Sequence, residues 1–471
     1  MTTVTLPPGP RLPRFAQGLY TVTMPRRGLP RLRDRFGDTF SVNVPIFGRA
    51  VVFSDPAQIR QLFLAGPDVV ENIQPNLGRV LGPGSMFALT GEEHRRQRKL
   101  LVPPFHGRRL AAHARIAAEE TGRELATWPE GVPFATLPSM MRLTVSIIVR
   151  AVFGVEGEHL DLLRDLLPKS VSLGSKLAMV PRPRRVTVGP WARMRRYRAE
   201  YNAVIDELID RARHDPRLDE RDDVLALLVQ SRYDDGSSMT NAQIADQLLT
   251  LLSAGHETTA TTLAWAVERL RRHPDVLADL AAETDAAETD AAQTDAAQTG
   301  AGGGVLREAV IREAVITEVQ RTRPVIDLVG RQILVDGYQL GRWTLPRGAN
   351  VLIDIALLHE NPGLFPDPLA FRPSRFTEAK PDLYQWIPFG GGTRRCIGAA
   401  FANMEMNVVL KTLIRDFTLE STSEPGERWR SRGVAFAPAD GGIAVVRRRG
   451  TEAASTETPA INGRNTDART S

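Results

Sequence analysis

The spacing of hydrophobic and polar positions changes twice along this chain of 471 residues. Near the front, FSVNVPIFGRAVVFSD, Phe40 to Asp55, alternates β-branched and polar residues across a glycine-containing turn and predicts a β-hairpin. Most of residues 92 to 275 carries the apolar spacing of helices of ordinary length. Strands and turns return in GRQILVDGYQLGRWTLPRGANVLIDI, Gly330 to Ile355, and RSRGVAFAPADGGIAVVRRR, Arg430 to Arg449, predicts a terminal hairpin. The expected fold is mainly α with a smaller β portion. Length alone would suggest two or three domains, yet no linker divides the core, so residues 1–450 read as one domain. The tail 451–471 is polar and expected to be disordered.

Two segments refine this pattern. Thr240 to Gln243, TNAQ, forms a capping box that opens a helix able to run to His273 before Pro274. At 1.5 Å per residue it would span about 50 Å and cross the domain. From Ala281 to Gly304 the sequence repeats with a period of five, matching neither helix nor strand, and REAVI then occurs twice in tandem, from Arg307 to Ile316. The run at 281–304 is expected to be a solvated insertion that buries little. The second REAVI copy, Arg312 to Ile316, should lead into a packed helix in register with Glu318, leaving the first copy peripheral.

Composition narrows the class. The net charge of +5 is carried by scattered residues and no nucleic-acid-reading motif is present, so an acidic protein partner explains the balance as well as a nucleic acid does. A single cysteine excludes an intrachain disulfide framework and fits a reducing cytoplasm. No run approaches the roughly 20 apolar residues of a membrane span, which leaves room only for a peripheral membrane contact.

That cysteine carries the clearest chemistry. Cys396 lies in PFGGGTRRCIG, Pro388 to Gly398, and the apolar residues Ile397, Phe401, Met404 and Val408 behind it form a helical stripe. A helix N-terminus stabilises a thiolate. Glycines 390 to 392 allow a close backbone approach, and Arg394 could neutralise an anionic substituent. One thiolate cannot build a zinc or iron–sulfur site alone, but it can be the sole protein ligand of a haem iron; a buried structural cysteine is the plain alternative. LLSAGHETTATT places Glu257 and Thr258 mid-helix, where the Thr258 hydroxyl can bond the Ala254 carbonyl and open a groove. Such a carboxylate–hydroxyl pair could deliver protons to a ligand, or could be an exposed polar patch. Glu318 and Arg321 in EVQRTRP can pair on one helical face. His94 and Arg98 in HRRQR, one turn apart, could donate to an anion, or could lie on a solvated basic helix.

In combination and in this order, the motifs resemble the cytochrome P-450 superfamily over nearly the whole core. FGGGTRRCIG is similar to that family's haem loop at Phe389, Gly392, Arg394, Cys396 and Gly398. AGHET resembles its oxygen-binding helix motif and EVQR its Glu-x-x-Arg motif. FRPSRF resembles the segment that adds Arg375 to that pair, with Ser374 where the family often has Glu. NIQPNLGRV, LLVPPFHG and ATLPSMM look like mycobacterial members. The resemblance implies haem b, with Cys396 as axial thiolate of the iron; His94, Arg98, Arg331 and Arg394 on the propionates; Glu257 and Thr258 guiding protons; and Glu318, Arg321 and Arg375 as a buried structural network. It also implies a monooxygenase using O2 on an apolar small molecule, with electrons from a separate ferredoxin and ferredoxin reductase. The basic residues Arg95, Arg96, Lys99, Arg108 and Arg109 are the expected docking face. A haem-thiolate peroxygenase or isomerase, or a non-catalytic haem-based ligand sensor, are the competing readings; Thr258 argues against the first.

Overall fold

The computed structural model describes residues 3–450 apart from 24, 45–46, 75, 155–156, 179, 181–187 and 298–308, with backbone only at 19–23, 25–27 and 290–297. The terminal tail, the end of the period-five run and the start of the first REAVI copy therefore lie outside the described residues.

One helix organises the core. Asn241–Leu270 begins where the capping box predicts: the Thr240 hydroxyl accepts from the Gln243 N–H while the Gln243 side chain accepts from the Thr240 N–H at 2.9 Å. It packs most extensively on Thr136–Phe153, with Pro190–Arg213 and the C-terminal helix Ala399–Asp416 also against it. Thr136–Phe153 is the one described helix long and apolar enough to cross a membrane. Its apolar surface is instead consumed by the core, where Met140, Ile147, Val149 and Phe153 are fully buried.

The β portion is small. A five-stranded sheet runs in the order Thr39–Val44, Gly48–Phe53, Asn350–Asp354, Leu328–Ile333, Val70–Asn72. The predicted front hairpin is its first pair, with Val42 opposite Ala50. Gly48–Phe53 and Asn350–Asp354 run parallel, and the other pairs are antiparallel. Because Asn72 pairs with Arg331, the sheet brings the short strand Val70–Asn72 beside a predicted anion-binding arginine.

Two expectations are corrected. The terminal segment forms a hairpin only in its first half, Trp429–Ser431 with Phe436–Pro438; Ile443–Ala444 pairs with Phe134–Ala135, and Val446–Arg448 with Phe417–Leu419. The period-five run is not a solvated loop where it is described. It continues the helix Pro274–Ala297, in which Leu280 and Thr284 are fully buried. Glu283 accepts the N–H groups of Ile311 and Arg312 at 2.6 and 3.1 Å, and Glu288 and Asp285 pair with Lys411 and Arg449. Glu283 thus caps, from a neighbouring helix, the N-terminus of Val310–Thr322, whose own N-cap residue Ala309 has no side-chain cap. Replacing Glu283 with alanine is expected to cost about 1 kcal/mol, the usual worth of an N-terminal cap. An unshifted denaturant midpoint would show that this contact is idle. The REAVI reading holds in part: Ala314, Val315 and Ile316 of the second copy are buried and Val310 of the first is exposed, but Ile311 of the first copy already packs against the main core.

Candidate active site

The loop around Cys396 is shaped by its own backbone and by one aromatic residue. The Cys396 N–H donates to the Phe389 carbonyl at 3.0 Å, closing the loop before the helix Ala399–Asp416 begins. Gly391 and Gly392 lie on Phe63: a Cβ at Gly391 would fall 2.2 Å from the Phe63 ring, and one at Gly392 would fall 2.6 Å from its carbonyl oxygen. Gly392 also has φ +66°, which L side chains rarely adopt. Nothing lies near the Cβ position of Gly398, whose N–H donates to the Cys396 sulfur. Phe389 stacks edge-on to Trp386 at 6.2 Å.

Cys396 has exposed surface, yet enough protein surrounds it that burial raises its thiol pKa, against the Gly398 N–H and the Arg98 and Arg395 charges. Exposure together with desolvation describes a cleft rather than an outer surface. The sequence expectation of a thiol acidified by the helix N-terminus is corrected on this point: burial outweighs the local donors, and a cation bound to the sulfur would be needed to hold it as thiolate.

Four predicted anion ligands meet beside this loop. Arg331 is buried, bonds among the described residues only the carbonyls of Gly330 (2.8 Å) and Gly391 (3.5 Å), and burial pushes its pKa down to about 10. Arg98 makes no ion pair or side-chain hydrogen bond among the described residues, and burial lowers its pKa. His94 is buried on the same helix, Gly91–Leu101; burial first, then the Arg394 charge, lower its pKa to about 4, so it is neutral at pH 7. Arg394 differs from the expectation: it donates to the carbonyls of Met86 (2.8 Å) and Leu89 (2.6 Å) and is ion-paired with Glu71. A buried guanidinium satisfied only by carbonyls, with a second one free beside it, calls for an anion. The donor set fits the carboxylates of a porphyrin, and the cleft around the cysteine sulfur fits its iron.

The predicted pair Glu257 and Thr258 is carried by the central helix and makes no described hydrogen bond or ion pair with the cationic cluster. The Thr258 hydroxyl donates to the Ala254 carbonyl at 2.9 Å, as the sequence suggests. Ala254 is exposed, and Leu251, Gly255 and Thr258 are half-buried, so one stripe of a core helix stays open. Glu257 is buried and paired at 2.8 Å with Arg432, on the turn of the Trp429–Pro438 hairpin. At the start of this helix Asp246 accepts the Gly84 N–H at 2.7 Å and pairs with Arg198, while Thr250 donates to Ser85 at 2.8 Å. These contacts fix the loop 82–85 over the helix.

Beneath the loop, Glu318 and Arg321 form a fully buried pair at 2.7 Å, joined by Arg375 at 3.2 Å. Arg321 also donates to the carbonyls of His359, Pro368 and Ala370, and the His359 ring accepts the Ile387 N–H at the loop's entrance. The expected docking face is more nearly neutral than its sequence suggests: Arg95, Arg96, Lys99 and Arg109 pair with Glu92, Asp235, Asp234 and Asp222. Glu71, Asp246 and Arg432 were not legible as site residues, since each acquires its role from partners distant in sequence.

Comparison with known proteins agrees with this geometry. The family model "Cytochrome P450" matches residues 7–441. "Putative cytochrome P450 138" of Mycobacterium tuberculosis (strain ATCC 25618 / H37Rv) is 52% identical over 448 residues, covering 95% of this chain and 97% of that protein. "Putative cytochrome P450 135B1" of the same strain is 37% identical, covering 94% and 91%. Among solved structures, retinoic acid-bound cyanobacterial CYP120A1 superposes with a TM-score of 0.78 at 23% identity, covering 95% of this chain and all of that one. The cytochrome P450DA haem domain gives 0.79 at 22%, covering 95% and 98%. At those identities the structures speak for the fold alone. With the family model spanning nearly all of the chain and the cysteine loop, central helix and buried Glu–Arg pair in their expected order, this protein belongs to the cytochrome P450 family.

Proposed function

We propose that this protein is a monooxygenase that binds haem b through the Cys396 thiolate and inserts one oxygen atom of O2 into an apolar small molecule. The observation that carries the reading is the Cys396 sulfur, in a cleft whose rim holds Arg98 and Arg331 without ion-paired carboxylates among the described residues. When bound, the haem supplies the iron that accepts electrons and activates dioxygen. His94, Arg98 and Arg331 hold the propionates, with Arg394 shared with Glu71. The open stripe of the central helix faces the substrate, and its apolar members Leu251 and Ala254 favour an apolar one.

Thr258 and Glu257 manage the proton. The Thr258 hydroxyl spends its hydrogen on Ala254, so its lone pairs are free to accept a hydrogen bond and would position a water that carries the proton. Glu257 is paired with Arg432, whose side chain is a third exposed and gives that pair a route to solvent. Thr258→Ala is therefore expected to retain haem and substrate binding while reducing equivalents escape as hydrogen peroxide, with product per NADPH falling about a hundredfold, the lower end of the range for a lost proton-transfer group. Full coupling in this variant would remove the relay. Turnover with peroxide alone, and none with electrons and O2, would identify a peroxygenase; ligand binding without turnover would identify a sensor.

The chain's own sequence contains no flavin or iron–sulfur motif, and electrons are proposed to come from a ferredoxin and its reductase. An acidic ferredoxin docking at Arg95–Lys99 would have to displace the internal acids, making binding steeply salt-dependent. A cytoplasmic setting follows the cysteine usage.

A further inference from the structure

Glu71 is a buried carboxylate placed among the cations beside the Cys396 loop, and no sequence motif points to it. It connects the three elements that carry those cations. Its Oε2 accepts the N–H of Gly91 at 2.8 Å, the first residue of the helix bearing His94 and Arg98. Its Oε1 accepts the Asn72 N–H at 2.7 Å and the Arg394 guanidinium of the cysteine loop. Its own strand pairs with the strand of Arg331, through Asn72 opposite Arg331. Burial alone would raise its pKa, but the two N–H groups and Arg394 hold it below the usual carboxylate range, so it is an anion at pH 7.

The charges then form a simple set. Arg98, Arg331 and Arg394 contribute three positive charges, His94 is neutral, and Glu71 contributes one negative. These five side chains sum to +2, matching the two propionates of a haem, with Arg395 exposed on the loop outside the set. Without Glu71 the set would present +3, and in a poorly solvated site one unmatched charge acts strongly on a nearby redox centre. Reduction adds an electron to the haem, so an extra positive charge favours the reduced form.

We propose that Glu71 is a positioning residue that aligns the three cation-bearing elements and matches the site's charge to a dicarboxylate, thereby holding the haem reduction potential down. This rests on the haem reading above. Haem content and the carbon monoxide spectrum test that reading; the reduction potential tests this one.

The experiment is spectroelectrochemical titration of the purified holoprotein and its variants. Glu71→Gln should shift the ferric/ferrous potential positive and Arg394→Gln should shift it negative. The double variant, with the buried pair replaced by neutral amides, should return close to wild type. Glu71→Asp, which keeps the charge on a shorter side chain, should lower the melting temperature yet leave the potential near wild type. If Glu71→Gln fails to retain haem, the double variant must still lie positive of Arg394→Gln, since only the residue 71 charge separates them. A potential unmoved by Glu71→Gln, or equal in the last two variants, while haem is retained overturns the proposal. A shift in Glu71→Asp as large as in Glu71→Gln overturns it too, because geometry alone would then be responsible.

Discussion

Replacing Cys396 with histidine is expected to abolish the far red-shifted Soret band of the reduced, carbon monoxide-bound protein. The loop should survive the change, because its closure runs through the Cys396 backbone N–H to the Phe389 carbonyl and its packing through Gly391 and Gly392 on Phe63. The loss would therefore report the ligand atom and not the fold. Thiolate donation sets that band and favours cleavage of the O–O bond, whereas imidazole donates less. Monooxygenation should fall to background while haem content persists. Survival of the band in the variant would show that another atom binds the iron.

The second large effect is expected at Glu318. Its carboxylate pairs with Arg321 through both oxygens, at 2.7 and 2.8 Å, and also accepts from Arg375 and the Arg372 N–H. Glu318→Ala leaves Arg321 charged, wholly buried and dependent on three carbonyls. Removing one partner of a buried pair costs about 3–5 kcal/mol, a large part of a typical folding free energy. We expect a failure to accumulate folded holoprotein at 37 °C and a strongly lowered denaturant midpoint where it does fold. An unfolding free energy within about 1 kcal/mol of wild type would mean that the network is relaxed or hydrated. The effect should reach the cysteine loop, because Arg321 and Ile387 are bridged by His359.

What could be read in advance was local. The capping box Thr240–Gln243 and the Thr258 bond to Ala254 involve residues three or four apart, and the cysteine loop is a continuous motif. The buried second REAVI copy followed from helical phase relative to Glu318. Missed features depended on chain segments meeting across the fold. A lone acid in the strand Val70–Asn72 gives no hint of Arg394, and nothing in the final segment says that Val446–Arg448 will pair with Phe417–Leu419. The period-five run misled for a different reason. A repeat of five rotates around a helix and makes no continuous stripe, yet Leu280, Glu283 and Thr284 suffice to anchor its start.

The packing of Gly391 and Gly392 on Phe63, with Arg394 held by Glu71 across 323 residues of chain, also bears on how the protein matures. A cysteine loop moulded on Phe63, in the helix Pro56–Leu64, cannot take its shape until both segments have been made and have met. Contacts of such sequence separation close late in folding. Cofactor loading then follows the meeting of these two segments, and haem captured before it would find a thiol but no mould.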